Sequence, residues 1–249
     1  MSWRTFSNTL EGVPVLLIGL LLLIGCGKTP PVEPAYYQVD ASTAGTIRGT
    51  VKIDGKLPAA QVISLDADPA CAKLHAGGAI REESGRGNIF VYLKTGLEGK
   101  RFAVPKEAVT IDQKGCWFGP RVMGMQAGQT LRVTNSDPVT HNIHPQPVKN
   151  RDWNQSQAPE DPPLMRKFAV PEIMIPVKCN VHNWMRAWIG VLDHPYFAVT
   201  GADGRFEIRN VPPGTYTVAV WQEQVGSAEQ RAAVAAAGTS ELTFTLKGN

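Results

Sequence analysis

The chain has 249 residues, a formal net charge of +3, 43% hydrophobic and 19% charged residues. That length holds one or two domains with a sizeable core, and a charge this mild, with no lysine- or arginine-rich run, argues for no nucleic-acid partner. The 24 glycines and 19 prolines fall between short apolar runs, the pattern of many short strands joined by turns rather than of long helices.

Residues 13–24 are an apolar run that follows Arg4 and ends in Leu23-Ile24-Gly25-Cys26. The run is too short for a comfortable membrane span. It resembles a bacterial lipoprotein signal with its lipobox. That resemblance implies that residues 1–26 are a leader and that Cys26 is lipidated and becomes the new N-terminus. The rest of the chain would then be anchored to a membrane in the cell envelope, facing the periplasm or the exterior. An uncleaved anchor or a plain secretory signal is the alternative, and either exports the chain. Residues 27–44 are rich in proline and small residues, as a tether is.

Thr46–Ile53 alternates with period two and stops at Asp54-Gly55, a strand entering a turn. Further strands are expected at 62–65, 88–93, 108–113, 121–125, 129–134, 167–170, 173–178 and 188–192, with loops over 66–88 and 145–165. The tail adds strands at 197–200, 205–208, 215–221 and 241–246. Ser227–Ala237 is alanine-rich, so propensity favours a helix there while its strand-rich setting favours a strand. No segment sustains a 3.6-residue period. The fold class is all-β, of the sandwich type.

Val177-Lys178-Cys179-Asn180-Val181-His182-Asn183-Trp184-Met185-Arg186 carries a thiol, an imidazole and a thioether at intervals of three. With one more imidazole, these are the ligands of a mononuclear copper site. Thr140-His141-Asn142-Ile143-His144 supplies it. The candidate ligands are therefore His141, Cys179, His182 and Met185, with copper as the cofactor. His144 competes with His141, but three residues along an extended strand it points the other way. Met123, Met125 and Met174 read as core residues, and His75 and His194 as structural or surface histidines. Trp184 and Trp188 flank the loop. Trp184 reads as part of a dry docking patch beside the metal.

This constellation resembles the cupredoxins, and its loop spacing is closest to that of amicyanin. The matching features are His141-Asn142 and the Cys179, His182, Met185 loop followed by Arg186, over roughly residues 108–192. The resemblance implies a Greek-key sandwich holding one type 1 copper ion. It also implies one-electron transfer through an exposed edge of His182, with Asn142 bonding between the two ligand loops.

Ala202-Asp203-Gly204-Arg205-Phe206-Glu207-Ile208 leads to Pro212-Pro213-Gly214-Thr215-Tyr216 and a final strand. This resembles the carboxypeptidase regulatory-like, transthyretin-like sandwich, an Ig-like fold. That family opens on a strand like Gly45–Asp54, which here lies far upstream. The expected organisation is a split sandwich of residues 45–100 and 193–249, with a copper domain of residues 101–192 inserted between. In the rival organisation the early strands belong to the copper domain.

Export leaves Cys71 and Cys116 as an even pair in an oxidising compartment, expected to form a disulfide. A second metal site of Cys71 with His75 is the alternative. The chain shows no motif of an enzyme. The expected function is one-electron transfer between periplasmic or surface redox partners that dock transiently. The alternatives are a copper carrier or sensor without redox turnover, and a surface-binding sandwich whose copper site is incidental.

Overall fold

The computed structural model describes residues 35–57, 59, 61–82 and 87–248. The expected leader with its lipidation site Cys26, and residues 27–34 of the tether, lie outside the described residues. The described chain is all-β apart from one short helix.

Gly45–Asp54 turns Ile47, Val51 and Ile53 inward by strand alternation. It lies between antiparallel Arg205–Val211 and parallel Thr239–Lys247. A second sheet runs in the order Phe197–Val199, Phe90–Thr95, Gly214–Gln222, Gly226–Val234. Inward side chains of both sheets, among them Ile47, Val91, Phe206, Val218 and Phe244, share one core. Strands from the two ends of the described chain thus build a single sandwich. Within it, Ser227–Ala237 contributes a strand, not a helix. Gly226 adopts φ +84° to close the turn, and Gly226–Val234 then pairs along its length with Gly214–Gln222. Cross-strand pairing and the burial of Ala232 and Val234 override the helical preference of alanine.

The intervening chain builds a second sandwich. One sheet has the order Gln155–Gln157, His141–Pro145, Glu172–Lys178, Arg186–Leu192, Val122–Gln126. The other has the order Leu164–Arg166, Leu131–Asn135, Val109–Gln113, Phe118–Gly119. Ile143, Ile175, Val177 and Ile189 from the first meet Ile111, Phe118, Leu131 and Val133 from the second in one core. Lys167–Val170, expected as a strand, is not one. Strand pairing ends at Arg166, and Phe168 instead plugs the core with 1% of its surface exposed.

Residues 61–82 depart from the expected organisation. They fall in the span assigned to the first sandwich, but they pack on the core of the second. Gln61–Ser64 pairs with Ala79–Glu82, and between them lies the helix Pro69–Lys73. Asp68 caps that helix by accepting the N–H groups of Ala70 and Cys71. Pro69 occupies its first turn, where a missing N–H costs nothing. The helix turns Cys71 inward to form a disulfide with Cys116. This covalent tie, with Leu65, holds the segment on the second core.

The two sandwiches join through a third cluster of Phe90, Val122, Met174 and Leu192. Gly190 sits directly opposite Gly124 on neighbouring parallel strands. A Cβ on Gly190 would lie 2.5 Å from the Phe90 ring, and one on Gly124 would lie 2.3 Å from the Phe197 ring. The paired glycines are therefore the groove into which the aromatic rings of the first sandwich fit. Trp188 packs on Trp221 with centroids 5.0 Å apart, and Glu223 accepts hydrogen bonds from Arg121 and from the Trp188 indole.

Candidate metal centre

The site forms where two strands of the second sandwich end. His141 opens the strand His141–Pro145, and Cys179 directly follows Glu172–Lys178. After Cys179 the chain turns back on itself. The N–H of Cys179 donates to the Met185 carbonyl (3.1 Å), and the N–H of Met185 donates to the His182 carbonyl (3.0 Å). These bonds close the loop before Arg186–Leu192 begins, and the pairing of Glu172–Lys178 with Arg186–Leu192 on either side of it fixes its position.

Three candidate ligands converge. His141 Nδ1 and His182 Nδ1 lie 3.0 Å apart, and Cys179 Sγ lies 3.8 Å from His182 Nδ1. His141 is 0% exposed, and Cys179 and His182 are each 2% exposed. Met185, the fourth candidate, is fully buried in the same core. His144 points elsewhere, toward Asn180 and Asp152. His75 Nε2 donates to the Gly115 carbonyl at 2.7 Å, and the residues placed to share a metal ion with Cys71 are Asp68 and His182 rather than His75. Asn142 bonds between the loops: its N–H points at Cys179 Sγ (3.4 Å), and its side-chain oxygen accepts the Asn180 N–H (3.1 Å).

Each histidine is held from behind by a carboxylate. His141 Nε2 lies 2.8 Å from Asp137 Oδ2, and His182 Nε2 lies 2.9 Å from Asp68 Oδ2. A carboxylate only accepts, so the proton is assigned to Nε2 on each ring and both Nδ1 atoms present lone pairs. Burial pushes the Cys179 thiol up, but the bond with His141 and the N–H groups of His182, Asn142 and Val181 outweigh it and bring the thiol down to about 7. His141 is raised: burial pulls it down, while Asp137 and Cys179 outweigh that. Asp137 is held below the usual carboxylate range, the bonds from His141 and the amides of Cys116 and Gly115 overcoming its burial. Two lone pairs and a thiolate-prone sulfur therefore face one buried point, where at most a proton can be shared. A metal cation satisfies all three. The three donor atoms lie within 4.8 Å of one another, close enough for one ion to be held by all of them, and two imidazoles with a thiolate are donors that fit a copper-type ion.

The position of His182 corrects one expectation. Its edge is not exposed. Asp68, at the start of the helix Pro69–Lys73, covers it together with Cys71 Sγ, 3.6 Å from His182 Nε2. Trp184 is the half-buried neighbour, its ring 5.1 Å from that of His182 and its indole N–H donating to the Cys116 carbonyl. Trp184 also lines an open groove with Ile63, Asn183 and Trp188.

Sequence reasoning missed Asp68 and Asp137. Asp137 stands four residues before His141 in a turn, a visible signal. Asp68 lies more than a hundred residues from His182, with only a helix-cap pattern to mark it.

The carboxypeptidase regulatory-like domain model matches residues 190–247. No curated protein matches the sequence. Among solved structures, the chain is similar to a Cu-containing nitrite reductase (NirK) from Thermus scotoductus SA-01 at 20% identity and a TM-score of 0.33, over 41% of this chain and 25% of that one. The chain thus spans about a quarter of that reductase. It is also similar to a purple cupredoxin from Nitrosopumilus maritimus at 20% identity and a TM-score of 0.29, over 33% of this chain and 98% of that one. An amicyanin from Paracoccus versutus is similar at 18% identity and a TM-score of 0.31, over 41% of this chain and 96% of that one.

Proposed function

We propose that the chain is an exported copper protein that carries single electrons between redox partners, its metal held by His141, Cys179, His182 and Met185. The observation that carries this reading is the buried convergence of His141 Nδ1, His182 Nδ1 and Cys179 Sγ, with both outer ring nitrogens tied to carboxylates. Copper bound there would supply a Cu(I)/Cu(II) couple whose two states accept the same cage.

The protein's part is to hold that cage still. One sheet fixes both His141 and Cys179, and the closed loop fixes His182 and Met185. Asn142 ties one loop to the other. Burial excludes water from the three donor atoms, which leaves no position for a substrate and suits a carrier better than a catalyst. With the edge of His182 covered, the half-buried Trp184, its ring 5.1 Å from that of His182, links the centre to the surface, and we assign the docking contact to the groove it lines. Redox partners would dock there briefly, through a small interface.

The lipobox-like Leu23-Ile24-Gly25-Cys26 supports export and anchoring through Cys26. The disulfide supports an oxidising compartment. The carboxypeptidase regulatory-like sandwich then serves as the mount that holds the copper domain away from the membrane.

Titration of the metal-free protein with Cu(II) tests the proposal. An intense blue charge-transfer band, absent in Cys179→Ser, is expected. A parent protein that takes up only pale copper, or none, overturns the reading. A fast, reversible electrode response with copper retained in both states separates electron transfer from copper delivery.

A further inference from the structure

The disulfide, the helix cap and the two carboxylates form one connected unit behind the histidines. Asp68 Oδ1 accepts the N–H groups of Ala70 (2.9 Å) and Cys71 (3.1 Å), while its Oδ2 faces His182 Nε2 at 2.9 Å. Asp137 accepts the N–H groups of Gly115 (2.6 Å) and Cys116 (2.7 Å) and holds His141 Nε2. The two cysteines whose amides bind these carboxylates are joined to each other. Gly115 takes a positive φ of 67°, which turns its own N–H and that of Cys116 together toward Asp137. Asp137 is 6% exposed, so its charge is tied down and cannot swing away.

We infer that Asp68 and Asp137 are paired positioning carboxylates that set the orientation and donor strength of the two copper-binding histidines, and that the Cys71–Cys116 linkage keeps the pair in register. The inference rests on the copper reading above and adds to it the residues that tune the ion. An anion bonded to the outer N–H of an imidazole makes the inner nitrogen a stronger donor. A stronger donor favours Cu(II) over Cu(I), because the higher charge gains more from it. Two such anions would hold the couple toward the oxidised side. They would also fix both rings with Nδ1 toward the metal, since a flipped or retautomerised ring would give up its carboxylate.

Asp68→Asn is the informative variant. Asparagine caps a helix about as well as aspartate, so its side-chain oxygen can keep the Ala70 and Cys71 amides and the helix stays in place. The other terminus becomes an NH₂ group facing His182 Nε2, which can no longer donate to it. The expected result is a 10- to 100-fold loss of Cu(II) affinity, with a smaller loss for Cu(I). Each factor of ten between the two losses moves a one-electron couple upward by about 59 mV. In the metal-free protein, long-range ¹H–¹⁵N spectra should show His182 protonated at Nε2 in the parent and at Nδ1 in the variant, a change that mere loosening of the fold does not produce. If the parent is blue but the variant keeps the parent's tautomer, and its Cu(II)-to-Cu(I) affinity ratio to within twofold, the positioning role is wrong and the copper site stands. A parent that is not blue removes the copper reading, and this inference with it.

Discussion

Asn142 meets Cys179 through its backbone and the Cys179 loop through its side chain. Its N–H lies 3.4 Å from the sulfur, and its side-chain oxygen accepts the N–H of Asn180 at 3.1 Å. A second donor, the N–H of His182, reaches the same sulfur at 3.3 Å. Two N–H groups on one sulfur stabilise the thiolate and reduce the charge it passes to a bound metal. Asn142→Ala keeps the first N–H but cuts the tie to Asn180. The ligand loop should then lose its register with His141. A 10- to 100-fold fall in Cu(II) affinity is expected, read by competition titration, with a shifted charge-transfer band.

The junction of the two sandwiches makes a separate prediction. Gly190 faces the Phe90 ring and the Met174 side chain, with 2.5 and 2.6 Å available to a Cβ. Gly190→Ala must push the rings of the first sandwich away or bend the strand Arg186–Leu192, which begins just after Met185. Overpacking of this kind costs about 1–3 kcal/mol. A fall of that size in the free energy of denaturant unfolding is the expected outcome. No measurable change would mean that the two sandwiches are not packed through these glycines.

Much of this arrangement was legible in the sequence, and the reason is local. Alternation exposes Thr46–Ile53 as a strand, and the intervals Cys179, His182, Met185 place three donors on one turn, because both signals depend on neighbours in the chain. The rest depends on contacts between distant segments. Residues 61–82 are as rich in apolar side chains as the rest of the chain, but no local pattern says that Leu65 and Cys71 bury in the second core rather than the first. For the same reason the covered edge of His182 was invisible: Asp68 reaches it only because the Cys71–Cys116 linkage brings a distant helix across the site. The strand Gly226–Val234 was ambiguous because alanine has helical propensity and no strong pattern, and only the partner strand decides it.

The same linkage carries a prediction about stability. Cys71 and Cys116 are 45 residues apart in sequence, and closing a loop of that length in the unfolded chain is worth about 4 kcal/mol on the chain-entropy model. The double variant Cys71→Ala, Cys116→Ala should unfold at correspondingly lower denaturant concentration. Its metal-free form should lose stability by a similar amount to its copper-loaded form if the disulfide acts only through the unfolded state. Because the linkage also keeps Asp68 and Asp137 in register, the copper-loaded form is expected to lose more stability than the metal-free form, the difference being the loss of copper affinity; equal losses would mean that the disulfide does not hold the site.

His194 sets a pH dependence far from the metal. It is 5% exposed, its Nε2 lies 2.9 Å from the Leu93 carbonyl, and its Nδ1 accepts the N–H of Tyr196 at 3.1 Å. These partners fit a neutral ring protonated at Nε2, and a second proton would displace the Tyr196 N–H. Burial is the main cause that pulls this histidine below its ordinary value, against the opposing pull of Asp193 and the Leu93 carbonyl. With a folded-state pKa depressed below the unfolded value of about 6.5, the unfolded chain binds the proton first as pH falls. The contribution of His194 to stability is therefore fully present above about pH 6.5 and is lost as pH drops toward the folded value. Unfolding free energies measured from pH 8 down to pH 5 should decline through this window. In His194→Gln, which can still donate to Leu93 and accept from Tyr196, the decline should flatten. An unchanged slope in the variant would assign the pH dependence to other groups and leave His194 without this role.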